Sequence, residues 1–162
     1  MAFHDTWEGL VAEATQYADQ ILSEDVAPVA EDILRDHIMK DIYQKYTPKT
    51  NGWVTWTPNG GLVPATYRRR YSLLGYIHSK VEGGGVLFVT SSAKRQPSIM
   101  PSSVSRGYPQ YDGDFLKLLE SGHMGLWRGG FARPAVSNAQ QEMNNSPRIK
   151  TAIMNGISKH FN

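Results

Sequence analysis

Apolar residues recur with helical spacing through the first third of the chain. Asp5 followed by Glu8 is typical of a capping-box variant that opens a helix. The apolar stripe after it consists of Trp7, Leu10, Val11, Ala14, Tyr17, Ala18, Ile21, Val26, Val29, Ile33, Ile38 and Ile42. Pro28 lies either in the first turn of a second helix capped by Asp25 or at a kink in one long helix. The pattern predicts a mostly helical segment from Asp5 to about Tyr46.

Turn-forming residues punctuate the next segment, residues 47–66. Within it, residues 53–56 predict either a short strand that returns through residues 62–63 or a loop that carries two tryptophans. On a strand, Trp53 and Trp56 point to opposite faces, so one indole is exposed or lies at a contact. We interpret the segment as an excursion from the core and both tryptophans as candidate interface residues.

Two apolar runs joined by glycines predict a β-hairpin in the middle of the chain. The strands are expected at Tyr76–Val81 and Val86–Ser91, with the connection at Glu82–Gly85. Residues 92–111 contain prolines and serines with little periodicity, which predicts a long loop.

Helical patterns return after residue 112. A short helix is predicted at about Asp114 to Glu120 and a second at about Pro134 to Met143. Ser146 and Pro147 are expected to be the N-cap and the first residue of a final helix. The apolar stripe of that helix is Ile149, Ala152, Ile153, Gly156, Ile157 and Phe161.

A glycine-rich segment lies between the first two of these helices. Trp127, Arg128, Phe131 and Arg133 occur there among four glycines, just before Pro134. Aromatic residues and arginine are enriched at protein interfaces. Two interpretations stay open, a loop that contacts other proteins and a loop folded back on its own core. The four side chains are candidate interface residues.

Together these elements predict an α+β fold. A long N-terminal helix (or a kinked helix pair) and the C-terminal helices are expected to pack on a small antiparallel β-sheet, with long loops. The length of 162 residues fits a single domain, 1–162. Its parts are an N-terminal helical segment at 5–46, a loop excursion at 47–66, a β-hairpin and long loop at 67–111, and C-terminal helices at 112–162.

Overall charge narrows the choice of partners only slightly. A formal net charge of +2 is too small to indicate a general polyanion binder. The densest positive charge is the triplet Arg68, Arg69 and Arg70, between Tyr67 and Tyr71. This patch is a candidate for phosphate contacts and base stacking, for lining a DNA channel, or for salt bridges to acidic neighbours.

The sequence shows no pattern typical of catalysis or of a bound cofactor. Absence of cysteine excludes disulfides, thiolate nucleophiles and cysteine-based metal sites. The five histidines are scattered, and Gly83–Gly85 leads into a strand where a phosphate loop would need a helix. We therefore expect no enzyme activity, no catalytic, cofactor-binding or metal site, and no small-molecule substrate. The lack of a long apolar run predicts no membrane span, and we expect a product made in the cytoplasm.

Several motifs follow one another in a defined order. They are YxxYxP at residues 43–48, TYRRRYSLL at 66–74, the hairpin, FLKLLESG at 115–122, WRGGFARPA at 127–135 and an amphipathic C-terminal helix. In this order they resemble the neck or tail-completion (head–tail joining) proteins of long-tailed bacteriophages. The resemblance covers residues 5–48 loosely and 66–161 better, and the segments at 53–64 and 93–111 depart from it.

The resemblance implies an α+β structural protein of the virion neck without enzymatic activity. Its implied partners are copies of itself in a ring between portal and tail, and other head–tail connector and tail proteins. Contact with DNA in the channel stays open. One alternative is a tail terminator-type ring protein. Another, from a different class, is a small nucleic-acid-binding module that uses Arg68–Arg70. A hydrolase has no motif to support it.

Overall fold

The chain folds as an α+β protein around one long N-terminal helical run. The computed structural model describes residues 6–45, 54–56, 62–64, 72–93, 115–121 and 132–161. Helices α1 (Trp7–Ile21) and α2 (Ala27–His37) are continuous with two wide π turns, Leu22–Val26 and Ile38–Gln44. We call this run from Trp7 to Gln44 the long helix. It confirms the helical segment that the apolar periodicity predicts.

The long helix is capped one residue later than the sequence pattern suggests. Thr6 has an extended backbone, and its side-chain oxygen accepts a hydrogen bond from the Gly9 N–H at 3.2 Å. A side-chain oxygen at the N-cap typically satisfies a free N–H two or three residues further on. Thr6 is therefore the N-cap, and the prediction that Asp5 opens the helix is wrong by one position.

Pro28 lies within the continuous helical run just after a π turn. Within the described part of the chain no side chain caps the start of α2, so Asp25 does not begin a new helix. The Ala27 N–H donates to the Leu22 carbonyl, five residues back. Because proline lacks an N–H and its ring crowds the carbonyl four residues back, a wider turn at this point relieves the conflict. Of the two predicted alternatives, the single long helix is present.

Two antiparallel hairpins follow. Strand β1 (Val54–Trp56) pairs with β2 (Leu62–Pro64), so the strand alternative for this segment is confirmed at the level of the backbone. A 3-10 helix at Ser72–Tyr76 then leads into the second hairpin.

The second hairpin consists of β3 (Ile77–Glu82) and β4 (Val86–Ser91), as predicted to within one residue. Glu82 pairs with Val86, which leaves a turn of three glycines. Gly84 and Gly85 have φ angles of 101° and 82°, in a region that side chains rarely adopt. Alternate residues of the two strands face the long helix, so the hairpin covers one side of it.

Three helices complete the chain. They are α3 (Phe115–Ser121), α4 (Ala135–Asn145) and α5 (Pro147–Phe161), each close to its predicted position. The Ser146 hydroxyl accepts a hydrogen bond from the Arg148 N–H at 3.2 Å, consistent with the predicted N-cap. None of the helices in the described ranges is long and apolar enough to cross a membrane.

The C-terminal helices pack along the long helix. α4 contacts α2, and α5 contacts α1 and the first π turn. The two C-terminal helices therefore lie along different parts of the long helix. The main core contains Ile33, Leu34, Ile38, Ile42, Leu73, Ile77, Ala93, Leu116, Leu119, Ala135 and Ala139. A smaller cluster contains Ile21, Val26 and Ala152. The core therefore lies along the middle and C-terminal part of the long helix.

Candidate interaction surface

The apolar stripe of α1 is covered at one end and exposed at the other. Ile21 is 7% exposed and faces Gly156 of α5, and the Tyr17 ring lies 6.4 Å from the His160 ring. α5 runs antiparallel to α1, so its last turn lies beside Tyr17 and its preceding turns pack along the residues after Tyr17. The exposed large side chains before that point are Trp7 at 74%, Leu10 at 48% and Val11 at 45%.

We call Trp7, Leu10, Val11 and Ala14 the exposed α1 face. At about 100° per residue, these four side chains fall within an arc of roughly 100° on the helix. Glu8 lies about 60° beyond one edge of the arc and Glu13 about 60° beyond the other. The exposed α1 face is thus an apolar stripe with a carboxylate on each side. This is the arrangement of an apolar centre and a polar rim that protein interfaces use.

Charge is divided unevenly along the chain. Residues 1–34 contain eight acidic residues and no lysine or arginine, whereas residues 35–162 contain seven acidic and 17 basic residues. The formal charges are therefore −8 and +10, which the small net charge of +2 conceals. The exposed α1 face lies in the acidic part.

The opposite end of the long helix carries exposed basic side chains. Lys40 and Lys45 are exposed there. Lys117 is exposed on α3, whose Glu120 accepts a hydrogen bond from the Val136 N–H at the start of α4. Asn138 of α4 donates a hydrogen bond to Asp41, which places the start of α4 at this end. Val136, in the first turn of α4, is 38% exposed. We call Lys40, Lys45, Lys117 and Val136 the distal end.

A buried polar cluster ties α4 to the long helix. His37 Nδ1 lies 3.0 Å from Asp41 Oδ2, and His37 Nε2 lies 3.0 Å from Glu142 Oε2. Asn138 Nδ2 donates to Asp41 Oδ2 at 2.8 Å, and Lys45 Nζ lies 3.1 Å from Asp41 Oδ1. Each imidazole nitrogen therefore lies within hydrogen-bonding distance of a carboxylate oxygen, one on the long helix and one on α4. His37 contacts a carboxylate through each ring nitrogen, and it thereby links the long helix to α4.

The surroundings of Asp41 favour its charged form. Burial by itself raises the pKa of this carboxyl, because desolvation disfavours the charge. Hydrogen bonds from Asn138, His37 and Lys45 outweigh burial and hold the pKa of Asp41 at about 2. The carboxylate is 2% exposed and has donors on both oxygens, so it acts as the centre of the cluster.

A second polar cluster joins the last turn of α5 to the first π turn. Lys159 Nζ donates to Glu24 Oε2 at 2.7 Å and lies 3.9 Å from Asp25 Oδ1. The hydrogen bond from Lys159 lowers the pKa of Glu24 and raises that of the lysine. His160 Nε2 lies 3.8 Å from Asp25 Oδ2, and neither atom has a hydrogen-bond partner among the described residues. The arrangement is an ion-pair network between elements that are distant in sequence.

Three members of this network have side-chain types that also bind metals. The donor atoms of Glu24, Asp25 and His160 all lie within 4.8 Å of one another. Imidazole nitrogen with two carboxylates is a set that suits a divalent metal such as zinc. Lys159 already places a positive charge against both carboxylates, so their proximity is accounted for without a metal. Sequence spacing could not reveal this group, because the helices bring together residues at opposite ends of the chain.

The two ends of the glycine-rich segment are held together. The Arg133 N–H donates to the Leu119 carbonyl at 3.0 Å. The Glu120 carboxylate accepts from the N–H groups of Val136 and Ser137 at 2.9 and 3.0 Å, and also from the Ser137 hydroxyl. Glu120 therefore caps α4 from a different helix. The sequence pattern identified Glu120 only as part of a helix end.

Most of the predicted site residues lie outside the described residues. These are Trp53, Arg68, Arg69, Arg70, Trp127, Arg128 and Phe131. For Trp56 the structure describes the backbone alone, as part of β1. Arg133 is described and half-buried, next to the start of α4. Their roles stay predictions.

The exposed α1 face was missed as a surface feature because its residues fit the stripe of a core helix. Helical periodicity shows which side chains share a face, but not whether another element covers that face. The available signal was the concentration of acidic residues around the stripe.

Comparisons with models of known protein families, with curated proteins and with solved structures found no match.

Proposed function

We propose that this chain is a structural protein of the neck of a long-tailed bacteriophage. In this proposal it joins the portal or head connector to the tail, as one subunit of a ring around the DNA channel. It has no enzymatic activity and acts through contacts with copies of itself and with other connector and tail proteins. The order of motifs along the chain suggested this class.

The observation that carries the proposal is the exposed α1 face. Trp7 and Leu10, with exposed fractions of 74% and 48%, stand on a helix that extends past the end of α5. Clustered apolar side chains with a polar rim mark interaction sites on soluble proteins. A subunit that assembles with neighbours needs such a surface, whereas an isolated monomer gains nothing from it.

The polar clusters also support a structural role. His37 has both nitrogens engaged by carboxylates, and Asp41 is held by three donors. Lys159 and Glu24 join the two ends of the chain. These side chains hold helices together, which suits a protein whose task is to keep its shape in an assembly.

The test is the location of the protein in purified virions and the effect of its loss. We expect mass spectrometry to detect it in intact particles, and labelling to place it between head and tail. Deleting its gene should leave DNA-filled heads and free tails that do not join. Particles that lack the protein and still assemble would rule the proposal out. A position at the tail end of the joint would instead favour the tail terminator-type alternative.

A nucleic-acid-binding module is the alternative from another class, based on Arg68–Arg70 between two tyrosines. It predicts salt-dependent DNA binding that disappears in the variant Arg68→Glu/Arg70→Glu. Such binding by a protein that is absent from virions would favour this alternative.

A further inference from the structure

We propose that the exposed α1 face docks head to tail on the distal end of a second copy of this chain. The inference rests on the proposed function of a ring subunit and assigns the surfaces through which neighbouring subunits meet. The apolar stripe supplies the centre of the contact, and the acidic rim meets the basic side chains of the distal end.

The charges of the two surfaces are complementary. Glu8 and Glu13 flank the exposed α1 face within a segment of formal charge −8. Lys40, Lys45 and Lys117 are exposed basic side chains of the distal end, although Lys45 also pairs with Asp41 of its own chain. Opposite charges across an interface guide association and fix its register. A second copy of this chain supplies the required basic surface.

The two surfaces of a single molecule are too far apart to neutralise each other. A helical run of this length extends for roughly 55 Å at 1.5 Å per residue. Physiological salt screens exposed charges beyond about 8 Å. The acidic end therefore cannot pair with the basic end of the same molecule, and two copies in line bring the two kinds of end together.

Like-charge repulsion disfavours pairing of two identical α1 faces. A symmetric contact would bring Glu8 and Glu13 of one copy against the same residues of the other, and such contacts are unfavourable. A head-to-tail contact avoids this repulsion. Such heterologous contacts produce a ring when the rotation between copies closes.

Absence of cysteine makes site-directed cross-linking a clean test. Glu8→Cys and Lys117→Cys place single thiols at the rims of the two surfaces without removing the apolar centre. We expect a short bismaleimide to link a mixture of the two variants into dimers, and to link neither variant alone efficiently. Lys150→Cys, at an exposed position on α5, is the matched control and should not cross-link with Glu8→Cys.

Each outcome of the cross-linking experiment decides the proposal. Dimers that form in the mixed sample, but in neither variant by itself, support head-to-tail docking. Equal cross-linking of Glu8→Cys with itself would show a symmetric contact and overturn the proposal. The mixture should be tested at concentrations where sedimentation velocity shows oligomers of the unmodified protein. If no cross-linked dimers form there, the proposal is also overturned. An unmodified protein that stays monomeric both in solution and in cross-linked virions would overturn it as well.

Charge reversal tests the electrostatic part of the contact. We expect Glu8→Lys or Lys117→Glu to weaken self-association about fivefold, because each replaces an attraction by a repulsion. Mixing the two variants should recover most of the association, since the reversed surfaces are complementary. Lys150→Glu is the matched control and should change self-association little. No recovery in the mixture would contradict the pairing of these two ends.

Failure of this inference is distinguishable from failure of the proposed function. If the protein is essential for joining heads to tails but Glu8→Lys virions assemble normally, the interface is wrong and the function stands. If the head-to-tail contact forms in solution but virions lack the protein, the interface stands and the function is wrong.

Discussion

Among the residues that the structure describes, Asp41 has a carboxyl whose pKa is strongly lowered by its surroundings. The carboxylate is buried, and His37, Asn138 and Lys45 donate to it or pair with it. Its pKa falls from 3.8 to about 2, so the folded state favours the ionised form more than the unfolded chain does. A lowered pKa contributes stability above the unfolded pKa and loses it as the pH falls towards the folded pKa.

We predict that Asp41 makes folding stability fall between about pH 4 and pH 2. At 1.36 kcal/mol per pKa unit, the contribution above this window is about 2 kcal/mol. Urea unfolding of the unmodified protein and of Asp41→Asn should differ by about this amount at pH 6 and converge near pH 2. Asp36→Asn removes an exposed carboxylate and is the control. If the difference in unfolding free energy between Asp41→Asn and the unmodified protein stays the same down to pH 2, Asp41 is not the source of the pH dependence.

Gly156 is a second residue whose role depends on its neighbours. A Cβ there would lie 2.6 Å from Ile21 Cγ2 and 2.9 Å from Asp25 Oδ2. We expect Gly156→Ala to lower the unfolding free energy by about 1 kcal/mol, because overpacking outweighs the better helix propensity of alanine. A Cβ at Gly75 would have none of the described residues within 4 Å beyond its chain neighbours, so Gly75→Ala should have little effect. Thermal unfolding measures both, and an increase in stability for Gly156→Ala would show that α5 can move away from α1.

At the scale of elements, α3 is held to α4 because Glu120 of α3 caps the N-terminus of α4. Glu120 accepts from two N–H groups in the first turn of α4, where the backbone has unpaired donors. The Arg133–Leu119 hydrogen bond lies beside it. Together these bonds bring the two sides of the glycine-rich segment to one place.

We predict that Glu120→Ala lowers the unfolding free energy by about 1 kcal/mol, the usual cost of losing a helix cap. Glu120→Gln should lose less, because one oxygen can still accept a hydrogen bond. Lys117→Ala, on the same helix, is the control and should change stability little. Circular dichroism during urea unfolding measures these differences. Equal stability of Glu120→Ala and Lys117→Ala would show that the cap contributes nothing.

At the scale of the whole molecule, one apolar stripe serves two purposes. From Tyr17 onwards it packs against α5, and before that point it is exposed to solvent. Folding therefore depends on one part of the stripe, whereas we propose that assembly depends on the other.

This division predicts that two equivalent substitutions have different effects. Ile21→Ala should destabilise the monomer by about 3 kcal/mol, because it leaves a cavity next to α5. Leu10→Ala should change monomer stability by less than about 0.5 kcal/mol and instead reduce self-association. Chemical unfolding at low concentration and sedimentation velocity at high concentration separate the two effects. A large loss of monomer stability in Leu10→Ala would mean that the exposed α1 face is part of the fold.

A corresponding prediction concerns the glycine-rich segment, whose Trp127 and Phe131 are candidate interface residues. If the segment contacts other subunits, Trp127→Ala or Phe131→Ala should reduce incorporation into virions more than it reduces monomer stability. Unfolding of the purified monomer in either variant would instead show that the segment belongs to the core.

By itself the sequence determined the order and approximate limits of the α-helices and of the β3–β4 hairpin, whereas it left β1 and β2 open between a hairpin and a loop. Helical and strand periods are local, so a stretch of chain such as Ile149–Phe161 contains its own signal. Local patterns also identified Ser146 as a cap and the glycine turn between β3 and β4. The candidate interface residues of the loops were chosen by composition, and their roles remain predictions.

Only the tertiary structure decided which polar residues meet and which apolar residues stay exposed. His37 and Glu142 are 105 positions apart, and Lys159 and Glu24 are 135 apart, so no spacing rule links them. Whether Trp7 is buried depends on which elements pack against the first turns of α1. That is a property of how the helices pack, because a stripe of apolar side chains specifies a face but not its partner.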